Sequence, residues 1–225
     1  MTTRPEGQPG DATSTATGAG PRKRVVVLDY GSGNLRSAER AVARTGVEVV
    51  VTADHEQALA ADGLVVPGVG AFAACMAGLD EIDGRSLIAR RVAEQKPTLA
   101  ICVGHQILFD AGIEHGVRAS GVGIWPGLVE ELQVRRLPHM GWNTVAPAAG
   151  SALFDGIEDE RFYFVHSYGV RTLDEAPGRR ITWAQHEDER FVAAVEDGPL
   201  WSTQFHPEKS GESGTALIQN WVATL

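Results

Sequence analysis

The sequence is poor in cysteine, with only Cys75 and Cys102 among 225 residues. Two thiols cannot build a disulfide framework, and their scarcity points to a reducing compartment, so a cytoplasmic protein is expected. Long apolar runs are missing as well. None approaches the roughly 18–20 residues that a membrane-crossing helix needs, and no membrane association is expected. Positive charge is not in excess: the net charge of −9 argues against a partner bound through nucleic-acid phosphates. The basic runs Arg22-Lys23-Arg24 and Arg135-Arg136 are short and read as solvated faces. Residues 1–20 are rich in Thr, Gly, Ala and Pro and have no apolar centre. They lack the core of a signal peptide, and residues 1–22 are expected to be a disordered tail. No internal repeat is found.

What is present suffices for a core, since 43% of the residues are hydrophobic. The length favours one α/β domain, placed at residues 23–225. Arg24–Asp29 is a continuous apolar run of the kind that makes a strand buried on both faces. A turn over Tyr30–Asn34 follows, then a helix over Leu35–Thr45 that Asn34 or Gly33 is placed to cap and Gly46 to end. Val47–Val51 predicts a strand, 54–61 a short helix, Gly63–Pro67 a strand, and 72–80 and 85–95 two more helices. Pro97 then leads into an apolar run that stops at Cys102. This alternation predicts a mostly parallel central sheet with right-handed crossovers. From about residue 121 the texture turns to short β-rich runs: Leu128–Val134, Arg161–Val165, Ile181–Gln185, Phe191–Val195 and Leu200–Phe205. These predict added antiparallel strands, closed by a helix over 213–224.

Cys102 stands out by its setting. The run Thr98–Ile101 ends on it, Gly104 follows, and a helix-like apolar pattern comes next. That is the form of a nucleophile elbow, with the thiol at the top of a sheet and the helix dipole favouring its thiolate. Such a thiol needs a base held by an orienting group. Gln204-Phe-His-Pro-Glu208 supplies both: His206 precedes proline and is pushed toward extended geometry, where Glu208 projects to the same side. Oxyanion donors are expected from the Val103 N–H and from the Pro67-Gly-Val-Gly70 turn, that is Gly68, Val69 and Gly70. The bland readings are a buried cysteine, a surface-turn histidine and a simple strand-ending turn. Cys75 has none of these neighbours and reads as core. A zinc site from Cys102, His105 and His206 matches no metal-ligand spacing, so no metal and no cofactor are expected.

In this order and spacing, Pro67-Gly-Val-Gly-Ala-Phe72, Ile101-Cys-Val-Gly-His-Gln106 and Gln204–Glu208 resemble the triad-type (class I) glutamine amidotransferases. The stretches Asp29–Leu35, His139-Met-Gly-Trp-Asn143 and Tyr163-Phe-Val-His-Ser-Tyr168 sharpen the match. Within that family they look like the glutaminase subunits of imidazole glycerol phosphate synthase. The resemblance covers about residues 24–225 and implies a three-layer α/β fold. It also implies a Cys102–His206–Glu208 glutaminase whose ammonia passes to a (β/α)8-barrel cyclase subunit, in a heterodimer. By position, Gln106 and the His166–Ser167 backbone would hold glutamine, and Gly68–Gly70 would form an oxyanion strand that reorients when the partner is loaded. Asn34, Trp142 and Asn143 would lie near the partner interface; a helix cap is the plainer role for Asn34 and core packing for Trp142. Two departures stand out. Ala100 replaces the usual Gly, and His105 stands where Met is usual and reads as a side chain without chemistry. The alternatives are the glutaminase of anthranilate or aminodeoxychorismate synthase, a stand-alone thiol hydrolase, and a silent regulatory subunit.

Overall fold

The computed structural model describes Met1 and residues 22–225; the expected tail falls almost wholly outside the described residues. The first half alternates as its apolar periods predict. β1 (Arg24–Leu28), α1 (Leu35–Ala43), β2 (Glu48–Thr52) and α2 (His55–Ala60) lead to β3 (Gly63–Gly68). Then come α3 (Phe72–Glu81), α4 (Gly84–Ala93) and β4 (Thr98–Cys102). Every residue of β3 and β4 is buried, which is why their sequences are unbroken apolar runs.

After Cys102 the chain departs from expectation. The helix is a single turn, α5 (Val103–Gln106), and a strand, β5 (Phe109–Glu114), starts almost at once. The cause is tertiary. Val122, Ile124 and Gly121 donate their N–H groups to the carbonyls of Ile107, Leu108 and Asp110 at 2.7–2.8 Å, the first two of which a continuing helix would have used. A four-residue turn sums few peptide dipoles, so the macrodipole invoked for the thiolate is weaker than the sequence suggested.

The remaining elements are mostly strands: β6 (Val117–Ser120), β7 (Trp125–Glu131), β8 (His139–Thr144), β9 (Arg161–His166) and β10 (Tyr168–Val170). They are followed by β11 (Arg180–His186), β12 (Glu189–Asp197), β13 (Leu200–Thr203), a 3-10 turn at Pro207–Lys209, and α6 (Gly211–Val222). α6 buries Leu217, Ile218 and Trp221 on one face. Burying each such side chain contributes roughly 1.5–3 kcal/mol.

The central sheet has seven strands in the order β11-β12-β13-β4-β3-β1-β2. β4 is parallel to both neighbours: Gly68 of β3 lies opposite Cys102, and Thr203 of β13 lies opposite Ile101. Three carboxyl ends therefore sit side by side, bringing the 68–70 turn, Cys102 and the segment after Thr203 together. The carboxyl edge is where open α/β sheets bind ligands. A four-stranded sheet, β10-β7-β5-β6, and the β8–β9 ribbon complete the α/β fold.

Candidate active site

A cavity of about 280 Å³ opens at this carboxyl edge, near the small end of ligand pockets (~300–1,000 Å³). Cys102, Val103, His206, Val69 and Gly70 line one side; Gln106, Glu114, Val165, His166, Ser167, Tyr168 and Lys209 line the rest. Most of the residues expected to carry the chemistry thus converge on one space; Glu208 and Gly68 do not line it.

Cys102 has φ 57° and ψ −112°, a region that side chains with a Cβ rarely occupy. This is the strain of an elbow, and close packing holds it. A Cβ on Gly104 would lie 2.0 Å from the Val66 carbonyl oxygen, and one on Gly68 would lie 2.3 Å from the Gly104 nitrogen. Only glycine at both positions lets the turn press against β3. Ala100 is buried in β4 without disturbing it.

His206 is extended at φ −104°, ψ 92°, but Glu208 follows on the 3-10 turn rather than on an extended strand. The turn still delivers the carboxylate: Glu208 Oε1 lies 2.7 Å from His206 Nδ1, with both side chains almost fully buried. Burial works against an imidazolium here. The neighbouring Cys102 sulfur and the Glu208 carboxylate outweigh it and raise His206 to about 9. Gln204, also buried, points its amide nitrogen at the Cys102 sulfur from 3.9 Å. Asn34 is not the helix cap that was its plainer role. It holds the N-cap position of α1 at φ 70° but makes no side-chain cap. Its amide instead donates to Glu208 Oε1 at 2.9 Å, which makes it a neighbour of the carboxylate that holds His206.

The 68–70 turn is likewise not as expected. Gly70 has φ 89°, but the Val69 N–H does not face the cavity: it donates to Ser32 Oγ at 2.9 Å. The turn is pinned from behind at two more points. Tyr30 donates its hydroxyl proton to the Pro67 carbonyl at 2.5 Å, and Cys75 donates to the Val69 carbonyl at 3.3 Å. Burial pushes both the Tyr30 phenol and the Cys75 thiol up, so both stay protonated and able to donate. Cys75 is a core residue, as read.

Gln106 is buried, and its amide nitrogen donates to the Tyr168 carbonyl at 2.8 Å and to Gln204 Oε1 at 2.9 Å. Its Oε1 has no partner among the described residues, leaving a free acceptor on a residue that lines the cavity. Glu114 adds a carboxylate whose Oε2 accepts the Phe72 N–H at 2.9 Å. Sequence reasoning missed Glu114, Ser32, Gln204 and Lys209; Gln204 apart, nothing in their local patterns marks them as site residues. Gln204 stands inside the Gln204–Glu208 motif and was the one with a usable signal.

Of the three interface candidates, Trp142 is 48% exposed, which excludes core packing, and Met140 beside it is 61% exposed. Asn143 turns inward, with its amide donating to the Gln185 carbonyl at 2.8 Å. His105 is fully buried, with Nδ1 2.8 Å from Ser202 Oγ and Nε2 without a partner among the described residues. Burial lowers it to about 3, so it is neutral and faces the core, as expected of a histidine without chemistry. Among the described residues no group of three metal-ligating side chains forms. No helix among them is long and apolar enough to cross a membrane.

Comparison with known proteins bears on this geometry. Residues 26–225 match the family model for class I glutamine amidotransferases. The chain is 59% identical over 211 residues to the imidazole glycerol phosphate synthase subunit HisH of Corynebacterium diphtheriae, covering 90% of this chain and 100% of that one. It is 61% identical over 204 residues to the HisH subunit of Mycobacterium bovis, covering 90% of this chain and 98% of that one. Among solved structures it resembles a glutamine amidotransferase with a TM-score of 0.69 at 19% identity, covering 89% of this chain and 99% of the other. It also resembles PurLQS from Thermotoga maritima with a TM-score of 0.64 at 18% identity, covering 90% and 99%. At those identities the two structural likenesses speak for the fold alone.

Proposed function

From the premise that the chain belongs to the class I glutamine amidotransferase family, we propose that Cys102, His206 and Glu208 are the triad with which it hydrolyses glutamine. The chain is a glutaminase subunit of imidazole glycerol phosphate synthase, in histidine biosynthesis. One observation carries the residue assignment: an elbow cysteine and His206 line one cavity of amino-acid size, and Glu208 holds His206 Nδ1 from behind at 2.7 Å.

The steps follow from the geometry. The Cys102 thiolate attacks the side-chain amide carbon of glutamine and forms a tetrahedral oxyanion. Its collapse breaks the C–N bond; the nitrogen takes the proton of the His206 imidazolium and leaves as ammonia, and a thioester remains on Cys102. Water, deprotonated by His206, then attacks the thioester to release glutamate and restore the thiolate. Glu208 keeps His206 Nδ1 engaged, so that Nε2 serves the reacting atoms, and Asn34 holds Glu208. The amino-acid end of glutamine is a zwitterion. The free Gln106 Oε1 and the Glu114 carboxylate suit its ammonium, and backbone N–H groups of the His166–Ser167 segment suit its carboxylate.

The oxyanion needs donors from Val103 and from the Gly68–Gly70 strand. With the Val69 N–H committed to Ser32, the strand is at rest, and donation requires its peptide to turn. Glycine at 68 and 70 gives the backbone that freedom. The trigger is the partner. A cyclase subunit goes with a HisH-type subunit, and we assign it a (β/α)8-barrel that docks on the face carrying Met140 and Trp142. That contact forms a heterodimer and receives the ammonia away from bulk water, where it would be protonated.

The test is glutamate release by the purified chain, alone and with a cognate cyclase subunit bearing its ribulotide ligand. Low activity alone that rises by orders of magnitude in the complex supports the gated triad. Full activity alone would favour a stand-alone thiol hydrolase and remove the gate.

A further inference from the structure

The β8–β9 ribbon carries a chain of imidazoles that the triad does not use. On β8, Met140 and Trp142 point outward and are exposed, while His139 and Asn143 point inward. His139 is buried beside β9, and its Nδ1 lies 3.0 Å from His166 Nε2. His166 lines the cavity, and its Nδ1 lies 2.9 Å from the Tyr168 carbonyl oxygen. At the other end, Asn143 Nδ2 lies 3.3 Å from His139 Nε2.

The direction of every hydrogen bond in this chain is determined from both ends. Asn143 Oδ1 accepts the Thr144 N–H at 2.9 Å, and its Nδ2 donates to the Gln185 carbonyl at 2.8 Å, so the amide cannot be reversed. His139 Nε2 must then accept, and its Nδ1 carries the proton. The Tyr168 carbonyl can only accept, so His166 Nδ1 carries a proton and its Nε2 accepts from His139. The reverse orientation would set two donors face to face at the Asn143 end and two acceptors face to face at the Tyr168 end. Burial holds both rings neutral, with His139 near 4 and His166 near 3. The stack against His139 is close, with His186 at 4.2 Å and Phe164 at 4.8 Å between ring centroids, which leaves the ring little room to swing.

We infer that His139 is a positioning residue for glutamine binding: the relay from Asn143 through His139 to His166 and the Tyr168 carbonyl holds the cavity wall at 166–168 in its binding geometry. This rests on the assignment of that wall to glutamine recognition. His139 touches no reacting atom, so its role is to keep the wall's donors aimed. It does so from the strand whose outer face presents Met140 and Trp142, so one strand serves the glutamine pocket on its inner side and an exposed apolar surface on its outer side.

Two measurements test this. In the complex with a cognate cyclase, His139→Phe keeps the ring stack but removes the proton given to His166. The KM for glutamine should rise about tenfold, the size of one buried hydrogen bond, with kcat changed less than about threefold. His139→Asn returns a donor near the Nδ1 position and should recover most of the loss. An unchanged KM, a fall confined to kcat, or no rescue by Asn overturns the inference. The second measurement needs no variant fold: ¹H–¹⁵N correlation of the imidazole nitrogens in the wild-type chain. Both His139 and His166 should be Nδ1–H tautomers across about pH 6 to 8; an Nε2–H tautomer at either overturns the relay. If wild-type protein hydrolyses no glutamine in the complex, the glutaminase assignment falls, and the tautomers still decide whether the relay exists.

Discussion

Two walls of one cavity bury imidazoles and give them opposite charge states. On the triad wall, His206 is raised to about 9 by the Cys102 sulfur and the Glu208 carboxylate against the pull of burial. On the β8–β9 wall, His139 and His166 meet a neutral amide, a carbonyl and other imidazoles, His186 among them, and burial first of all takes them down to about 4 and about 3. The depth of burial is similar; what differs is an anion within hydrogen-bond reach. The first wall is built to hold and move a proton. The second is built to hold still.

The sharpest way to break this contrast is to remove the groups that raise His206. Cys102→Ala should abolish glutamine-dependent synthesis, a loss of at least about 10³-fold, while synthesis from added ammonium salts by the complex persists. Loss of both would deny the division into two sites. His206→Ala should cost nearly as much, and Glu208→Gln measurably less, because an orienting group is usually less expensive to lose than the base it holds. Steady-state glutaminase rates in the complex decide this, and equal losses would give Glu208 a larger role.

The pH profile sharpens the same point. Glutaminase activity should fall as pH rises through about 9, where His206 loses its proton. Glu208→Gln removes a group that raises that value, so the falling limb should move to lower pH. A limb that stays in place would mean that Glu208 does not set the charge of His206.

The neutral wall makes the opposite prediction for stability. Together with His105, its rings accept protons near 6.5 when unfolded but only near 3 to 4 when folded. The unfolded chain binds more protons in that window, so stability should fall as pH drops from about 6.5 toward 4. His105→Met removes one such ring and its unpartnered Nε2. It should flatten the acid limb and add about 1 kcal/mol at neutral pH, read from urea midpoints. An unchanged acid limb would exclude His105 as a contributor.

The smallest effect concerns the Gly68–Gly70 strand proposed to supply the oxyanion donors. Ser32→Ala removes the acceptor of the Val69 N–H. A hydrogen bond of about 1 kcal/mol corresponds to roughly fivefold, so glutamate release by the isolated chain should rise by about that factor. No change would mean that Ser32 does not hold the strand.

Much of the fold was legible because the strands of the parallel half, such as Val25–Leu28 and Leu64–Val66, are buried on both faces and leave unbroken apolar runs. The stretch after Cys102 misled because Ile107 and Leu108 have a helix-like apolar pattern. Their carbonyls are taken by Val122 and Ile124, which no local window contains. The elbow was legible for the opposite reason: its backbone strain and its glycines are local.

The sequence alone marked the proposed triad, since an elbow needs only a strand, a nucleophile and Gly104, and His206 and Glu208 stand two residues apart. Only the tertiary structure decided which groups these residues answer to. Asn34 meets Glu208 across 174 residues of chain, and Ser32 meets Val69 across 37. The protonation of the buried imidazoles was decided there too. The physical reason is range. Backbone conformation and side-chain spacing depend on near neighbours, whereas burial, hydrogen-bond partners and the charge they impose depend on residues that only folding brings together.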